Sequence, residues 1–389
     1  MGWRSHSRRL QEKQAAPHLR SMLSERAFWI QIWRFVPLRW WASIAILVPG
    51  SVLLEVLGVS SIAVFAGTAL ALIPLAALLG FATEEVAGHV GPSLGGILNA
   101  TMGNLTELIL GLILLWHGHT EVVKASLAGS IIGNLLLVLG AAAFLGGLRQ
   151  ERQSFNRFAA GSSTTMLLVA VVALVMPAVY DLAVFGSVGH AGPSVEQLSL
   201  WTAFILLVCY VGSLIFTFRT HRNLFGIEPA APPRIGLTAS LAILIGAAVL
   251  IGVESELLAA QVELTAHALG WTDRFVGIVV IAVVGNAAEH STAVMMAYKK
   301  KMDLALSISM GSSAQIALFV APFLVVASEL LPAPMSLAFP PPEIIAIIFS
   351  VAVVTVVCLD GETNWFEGLQ LVGVYLILAI FFYLLPAAT

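Results

Sequence analysis

The amino-acid sequence predicts an all-α polytopic membrane protein of about eleven transmembrane helices. One extra N-terminal helix precedes two inverted five-helix repeats, and the N-terminus is cytoplasmic. Three observations predict this. Hydrophobic residues make up 59% of the 389 positions and charged residues only 11%, with a mean hydropathy of +0.94; a soluble domain carries roughly a quarter charged residues. The apolar residues fall into long runs rather than short alternating ones. A short polar motif also recurs inside two of those runs.

A helix needs about 20 mostly apolar residues to cross a bilayer. Runs that meet this lie at 41–58, 60–82, 93–116, 122–147, 159–180, 198–218, 236–253, 275–297, 303–329, 343–359 and 365–386. Only Gly58-Val59-Ser60 separates the first two. A barrel would need segments of roughly ten alternating residues instead. The chain therefore divides into a basic cytoplasmic tail at 1–40, the extra helix at 41–58, a first repeat at 59–218, a cytoplasmic linker at 219–235 and a second, inverted repeat at 236–389. Cys209 and Cys358 lie inside apolar runs and read as packing residues, not as a disulfide framework. The basic leader is too long for the n-region of a cleavable signal, and no A-x-A site follows the first run.

Basic residues orient the chain, because they collect on the cytoplasmic side. Arg4, Arg8, Arg9, Lys13, Arg20, Arg26, Arg34 and Arg39 precede the first run. Arg149, Arg152, Arg157, Arg219, Arg222, Arg234, Lys299, Lys300 and Lys301 fall in the other loops on the same side, which makes seventeen of the nineteen. Only Lys124 and Arg274 fall at the outer edge, and the outer loops at 181–197 and 254–273 are otherwise acidic or neutral. An odd number of spans leaves the C-terminus outside.

The recurring motif is GNLTE at 103–107 and GNAAE at 285–289. Gly103, Asn104 and Glu107 match Gly285, Asn286 and Glu289 at an offset of 182 residues; Glu121, Gly129 and Ser130 match Asp303, Gly311 and Ser312 in the same register. The first copy runs from inside to outside and the second from outside to inside. Inverted repeats with polar breaks near the midplane are the architecture of alternating-access transporters.

Glu107 and Glu289 each fall near the middle of their span, where a charge costs roughly 2.5–3.5 kcal/mol on insertion scales. No lysine or arginine is placed at that depth, so the neutralising partner must be mobile: a proton or a cation. Asn104 and Asn286 share a helix face with the glutamates, three residues away. Gly103 and Gly285 allow local unwinding or close approach of another helix. The following spans supply Ser130, Asn134, Ser312, Ser313 and Gln315. Two carboxylates with neutral oxygens form a hard-oxygen site suited to Ca²⁺ rather than thiophilic metals. Their joint charge of −2 matches one divalent ion or two protons. The expected activity is divalent cation/proton exchange with up to two protons per ion.

These residues resemble a known family. The stretch ATEEVAGHVGPSLGGILNATMGNLTELILGLILLWHG at 82–118, followed by GSIIGNLLLVLG, is similar to the first repeat of the calcium/proton exchangers, the CAX branch of the calcium/cation antiporter superfamily. GNAAEHSTAVMMAYKKKMDLALSISMGSSAQIALFVAP at 285–322 is similar to its second repeat, and together they span roughly a quarter of the chain. The resemblance implies that Glu107 and Glu289 bind Ca²⁺ and protons in turn, beside Asn104 and Asn286, with Ser130, Asn134, Ser312 and Gln315 nearby. It also implies Glu84 and Glu85 as cation-attracting residues of a cytoplasmic vestibule. One departure is the linker FRTHRNLFGIEPAAPPRIG at 218–236, short and net basic where many relatives carry an acidic segment.

Other polar residues read more plainly. His290 points about 100° away from Glu289 on a helix and reads as a helix-contact residue. His117 and His119 read as a solvated outer turn, and Glu254, Glu256 and Glu263 as an acidic outer loop. An intramembrane enzyme is disfavoured, because there is no H-E-x-x-H motif and no nucleophile with a matching histidine at membrane depth. A passive cation channel, and exchange of Na⁺, K⁺ or Mn²⁺ in place of Ca²⁺, remain alternatives for an oxygen-lined site. The expected partners are Ca²⁺, H⁺ and the lipid bilayer, with no nucleic acid and no cofactor; a homo-oligomer is left open. The expected location is a bacterial inner (plasma) membrane.

Overall fold

A computed structural model of the chain describes residues 38–148, 150–186, 192–225, 232–331 and 334–386. The basic tail lies outside the described residues except at its end, where Leu38–Val56 already forms the first helix, α1. Next come α2 (Ser61–Val90), then α3 (Pro92–Met102) and α4 (Leu105–Trp116), the two halves of a span broken at Gly103-Asn104. The first repeat continues with α5 (Thr120–Gly147), α6 (Arg157–Phe185) and α7 (Pro193–Thr220). The second holds α8 (Leu237–Leu269), the bent pair α9 (Asp273–Gly285) and α10 (Ala287–Tyr298), α11 (Met302–Ser328), α12 (Pro341–Val357) and α13 (Trp365–Leu384). Among the described residues eight helices are long and apolar enough to cross a membrane, the bent pair makes a ninth, and α1 and α12 are shorter apolar helices. Each run read from the sequence overlaps one of these helices or, at 93–116 and 275–297, a broken pair.

Two boundaries differ from expectation. α2 runs on to Val90, and α8 runs on to Leu269. Glu254, Glu256 and Glu263 therefore stand on a helix and not in an outer loop. Hydropathy falls after residue 253, but ESELLAAQVELTAHAL contains strong helix formers and no glycine or proline. The helix stops only where Gly270, at φ 67°, supplies a left-handed cap.

The helices that follow the two motifs form the centre. In α5, 83% of the membrane-length window is buried, and in α11, 67%, against 22% for α7 and α13. Small residues make this possible: a Cβ on Gly147 would meet the Trp365 backbone, and one on Gly368 would meet the backbone of Phe144, so α5 and α13 pack nearly backbone to backbone. The peripheral helices turn an apolar face outward, with Trp201, Phe204, Ile205 and Val208 of α7 all exposed. A continuous apolar face of that kind belongs against lipid.

Lys124 and Arg274, the two basic residues expected at the outer edge, are both held by the fold. Lys124 donates to the Ala338 carbonyl at 3.0 Å and lies 3.6 Å from Glu121. Arg274 donates to Glu343 Oε1 at 3.2 Å, and Glu343 is buried at the start of α12. On the opposite side a two-residue antiparallel pairing, β1 (Gln153–Ser154) with β2 (Glu362–Thr363), joins the connections that follow α5 and α12. An Arg152–Glu362 ion pair at 3.3 Å reinforces it.

Candidate functional site

The site is built from the two breaks. Asn104 sits at φ −97°, ψ 20° and Asn286 at φ −97°, ψ 8°, so both asparagines leave helical geometry by the same rotation. Each then caps a new half-helix, and this places Glu107 in the first turn of α4 and Glu289 in the first turn of α10. Unpaired backbone N–H groups at a helix start favour negative charge by roughly 0.3–1 kcal/mol. A break one turn before each glutamate thus creates a place for a carboxylate within an apolar layer.

The halves meet reciprocally. A Cβ on Gly103 would stand 3.9 Å from Glu289 Oε1, and a Cβ on Gly285 would stand 3.9 Å from Glu107 Oε1. Asn286 donates to Ser130 Oγ at 2.9 Å, and the matching pair in the other repeat, Asn104 and Ser312, stands at 3.5 Å. Among the described residues no lysine or arginine pairs with Glu107 or Glu289. Glu107 Oε2, Glu289 Oε2 and Asn286 Oδ1 are buried acceptors with no donor among the described residues. Buried acceptors are seldom left so; three together make a cradle for a cation or protons. Beside Glu107 lies a cavity of about 10 Å³, lined in part by Ser126, Ser130, Gly285 and Asn286. That is roughly the room one water-sized sphere needs.

The structure brings together all eight residues expected here. Glu107 and Glu289 face each other's glycine, while Asn286 pairs with Ser130. Asn104 donates to Gln315 Oε1 at 2.6 Å, and Asn134 donates to Ser312 Oγ at 3.1 Å. Local π-helical turns include Asn134, at Gly133–Val138, and follow Gln315, at Ile316–Val320, and such turns are common at functional sites. Ser313, in contrast, gives its hydroxyl to the Ser309 carbonyl. His290 makes a helix contact, as expected, and the contact is polar: its Nε2 lies 3.1 Å from Asn134 Oδ1 of α5 and joins the network. Its 100° offset from Glu289 aims it at α5, which the sequence of its own helix does not reveal.

The halves are not chemically equal. The position matching Gln315 is Gly133, so Asn104 is held by a side chain that Asn286 has no counterpart for. Nor are they packed equally. A Cβ on Gly129 would collide with the carbonyl of Ile278, whereas its match Gly311 faces open space. The crossing is closed where α5 meets α9 and more open where α11 meets α3.

Glu84 is exposed, as a vestibule residue would be, but Glu85 is not available for that role. It is buried and accepts from the Arg234 backbone N–H and Nε, both at 2.6 Å, and from the Ile235 N–H at 3.1 Å. Its carboxylate holds the linker at the entrance to α8. The other outlying groups are also engaged: His117 lies 2.8 Å from Glu256 Oε1 and His119 lies 3.1 Å from Glu263 Oε1. These contacts fasten the α4–α5 turn to α8.

Fold and site together define a polytopic helical membrane protein whose two related halves cross at a pair of glutamates. The chain belongs to the sodium/calcium exchanger protein family, whose model matches residues 60–219 and 239–384. It is 42% identical to a Ca(2+)/H(+) antiporter of Synechocystis over 351 residues, spanning 85% of this chain and 93% of that one. It is 41% identical to the Ca(2+)/H(+) antiporter ChaA of Bacillus subtilis over 346 residues, spanning 87% and 97%. Among solved structures, native YfkE superposes with a TM-score of 0.77 at 37% identity, covering 89% of this chain and 99% of that one. The H+/Ca2+ exchanger CAX shares the fold at a TM-score of 0.67 and 13% identity, covering 89% and 91%.

Proposed function

We propose that this protein is a Ca²⁺/H⁺ antiporter in which Glu107 and Glu289 bind the cation and protons in turn. The observation that carries the reading is the reciprocal seating of the two glutamates, with unpaired oxygens and no lysine or arginine paired to them among the described residues. Such a pair is electrically incomplete: one divalent ion satisfies both carboxylates, or up to two protons do. An empty, doubly charged site would be the costly state within the membrane, so the halves exchange positions only when loaded. That condition couples the two fluxes. The similarity to relatives named for Ca²⁺/H⁺ antiport supports these two ions as cargo.

The chain of Asn104, Gln315, Ser312, Asn134 and His290 supplies polar groups beside the carboxylates. Its role is to hold the half-helix ends at ion-binding spacing. With the arginine-rich loops inside, the more open end of the crossing faces the cytoplasm, and Glu84 stands at that mouth. The protein then moves ions across a plasma or inner membrane. It acts by transport and not by making or breaking covalent bonds.

The test is Ca²⁺ uptake into proteoliposomes driven by an imposed pH gradient. Glu107→Gln and Glu289→Gln, each folded, are expected to fall to the protein-free background. Exchange retained by both refutes the scheme. Ca²⁺ flux in the absence of any counter-gradient of protons assigns a channel instead.

A further inference from the structure

We propose that the groove between α6 and α7 is a binding site for one anionic phospholipid of the leaflet that faces the arginine-rich loops. The groove is a cavity of about 570 Å³. Gly161, Thr165, Met166 and Val169 of α6 form one wall, Cys209 of α7 contributes to the other, and Leu318 of α11 lines it too. It is within the roughly 300–1,000 Å³ of small-molecule sites.

Length, polarity and charge each point to a lipid. From Arg157 to Val169 is twelve residues along α6, about 18 Å at 1.5 Å per residue. One leaflet of hydrocarbon is about 15 Å deep, half of the ~30 Å core. The groove therefore matches the depth of an acyl chain lying along the helix. Below its mouth Met166, Val169, Phe216 and Leu318 make it mostly apolar; Ser162 and Thr165 are the hydroxyls in the lining, and that of Thr165 is turned back onto the Gly161 carbonyl at 2.9 Å. Gly161 has nothing within 4 Å of its Cβ position, so the missing side chain keeps the groove open.

Arg157 stands at the mouth. Its stem lies against Gly361, where an added Cβ would sit 3.3 Å from the Arg157 Cβ, so the side chain is anchored at its base. Arg157 is exposed and forms no ion pair among the described residues. The acids that reach this turn have other partners: Asp303 accepts from the Asn156 backbone N–H at 2.5 Å, Glu362 pairs with Arg152 at 3.3 Å, and Asp360 accepts from the Glu362 N–H at 3.0 Å. Phe158 and Phe225 pack edge to face at 5.4 Å beside the mouth, and Arg222 begins the turn that carries Phe225. Aromatic rings and arginines at one level mark the headgroup layer. A guanidinium there, over an apolar groove one leaflet deep, fits a phosphodiester with its acyl chain below. A second copy of the chain fits less well: a two-fold partner would bring its own Arg157 to the same height.

The test uses the full chain in nanodiscs of phosphatidylcholine with a minor fraction of phosphatidylglycerol, followed by native mass spectrometry of retained lipid. Wild type is expected to keep one phosphatidylglycerol in preference to phosphatidylcholine. Arg157→Gln should lower that retention at least tenfold, Arg157→Lys should restore most of it, and Gly161→Leu should abolish retention of either lipid. Equal retention of the two lipids by wild type overturns the proposal, as does equal phosphatidylglycerol in wild type, Arg157→Gln and Gly161→Leu. Displacement of the phosphatidylglycerol by inorganic phosphate alone, or oxidative cross-linking of Cys209 to Cys209 of a second copy in nearly full yield, also overturns it.

Discussion

Glu107 Oε1 lies 3.9 Å from the point where a Cβ on Gly285 would stand, and Glu289 meets Gly103 at the same distance. Each carboxylate is therefore packed against the glycine of the opposite motif. Neither repeat holds a complete site, and the glycines set how closely the halves approach.

A methyl group at Gly285 would make ordinary van der Waals contact with that oxygen, but the branches of valine reach into the 10 Å³ cavity. Gly285→Ala is expected to retain Ca²⁺ transport, and Gly285→Val to lose most of it with both glutamates intact. Ca²⁺ uptake by proteoliposomes reads the difference. Wild-type rates from the valine variant would show that the space is not used.

The unequal packing of Gly129 and Gly311 separates stability from turnover. Gly129→Ala forces a Cβ into the Ile278 carbonyl and should cost about 1–3 kcal/mol, read as a lowered unfolding midpoint in detergent. Gly311→Ala has room and should gain roughly 0.5–1 kcal/mol, as alanine does over glycine within a helix. If the halves exchange geometries, however, Gly311 must pack in the opposite state as Gly129 does here. Gly311→Ala should then be stable and slow. A stable variant with wild-type transport would argue against exchange of the two crossings.

Glu343 is almost wholly buried against Arg274, with Oε2 unpaired. Arg274→Leu strands that charge and should destabilise the fold by about 3 kcal/mol. The double variant Arg274→Leu/Glu343→Leu should recover to within about 1 kcal/mol of wild type, because removing both charges also removes their desolvation cost. Unfolding midpoints of the single and double variants measure this. Equal loss in both would mean that the pair acts through shape.

Glu84 and Glu85 are adjacent and should behave oppositely. Glu85→Ala leaves the linker N–H groups and Arg234 without their acceptor and should cost about 1–3 kcal/mol. Glu84→Gln should leave stability within about 0.5 kcal/mol and weaken apparent Ca²⁺ affinity if the exposed carboxylate draws cations to the mouth. Melting curves and the Ca²⁺ dependence of uptake separate the two.

Much of the site was legible in the sequence because it is written twice. Glu107 and Glu289 announce themselves by their cost in an apolar run, and the shared offset makes partners of Asn104 and Asn286, Ser130 and Ser312. The tie of Glu85 to Arg234 and the particular partner of His290, Asn134, were not legible for one reason: both partners are remote in the chain and lie outside the repeated motif. The long α8 was missed because apolar content reports where a membrane ends, not where a helix does.

The sequence by itself determined that this chain crosses a membrane, that it is duplicated, and which acids lie too deep to stand alone. Those properties follow from composition and spacing, which are local. Only the tertiary structure decided which glycine each carboxylate meets, that Glu85 is tied to the linker, and that one crossing is closed while its match is more open. These depend on how backbones approach across the repeat interface, and tightly packed helices settle that jointly, not residue by residue.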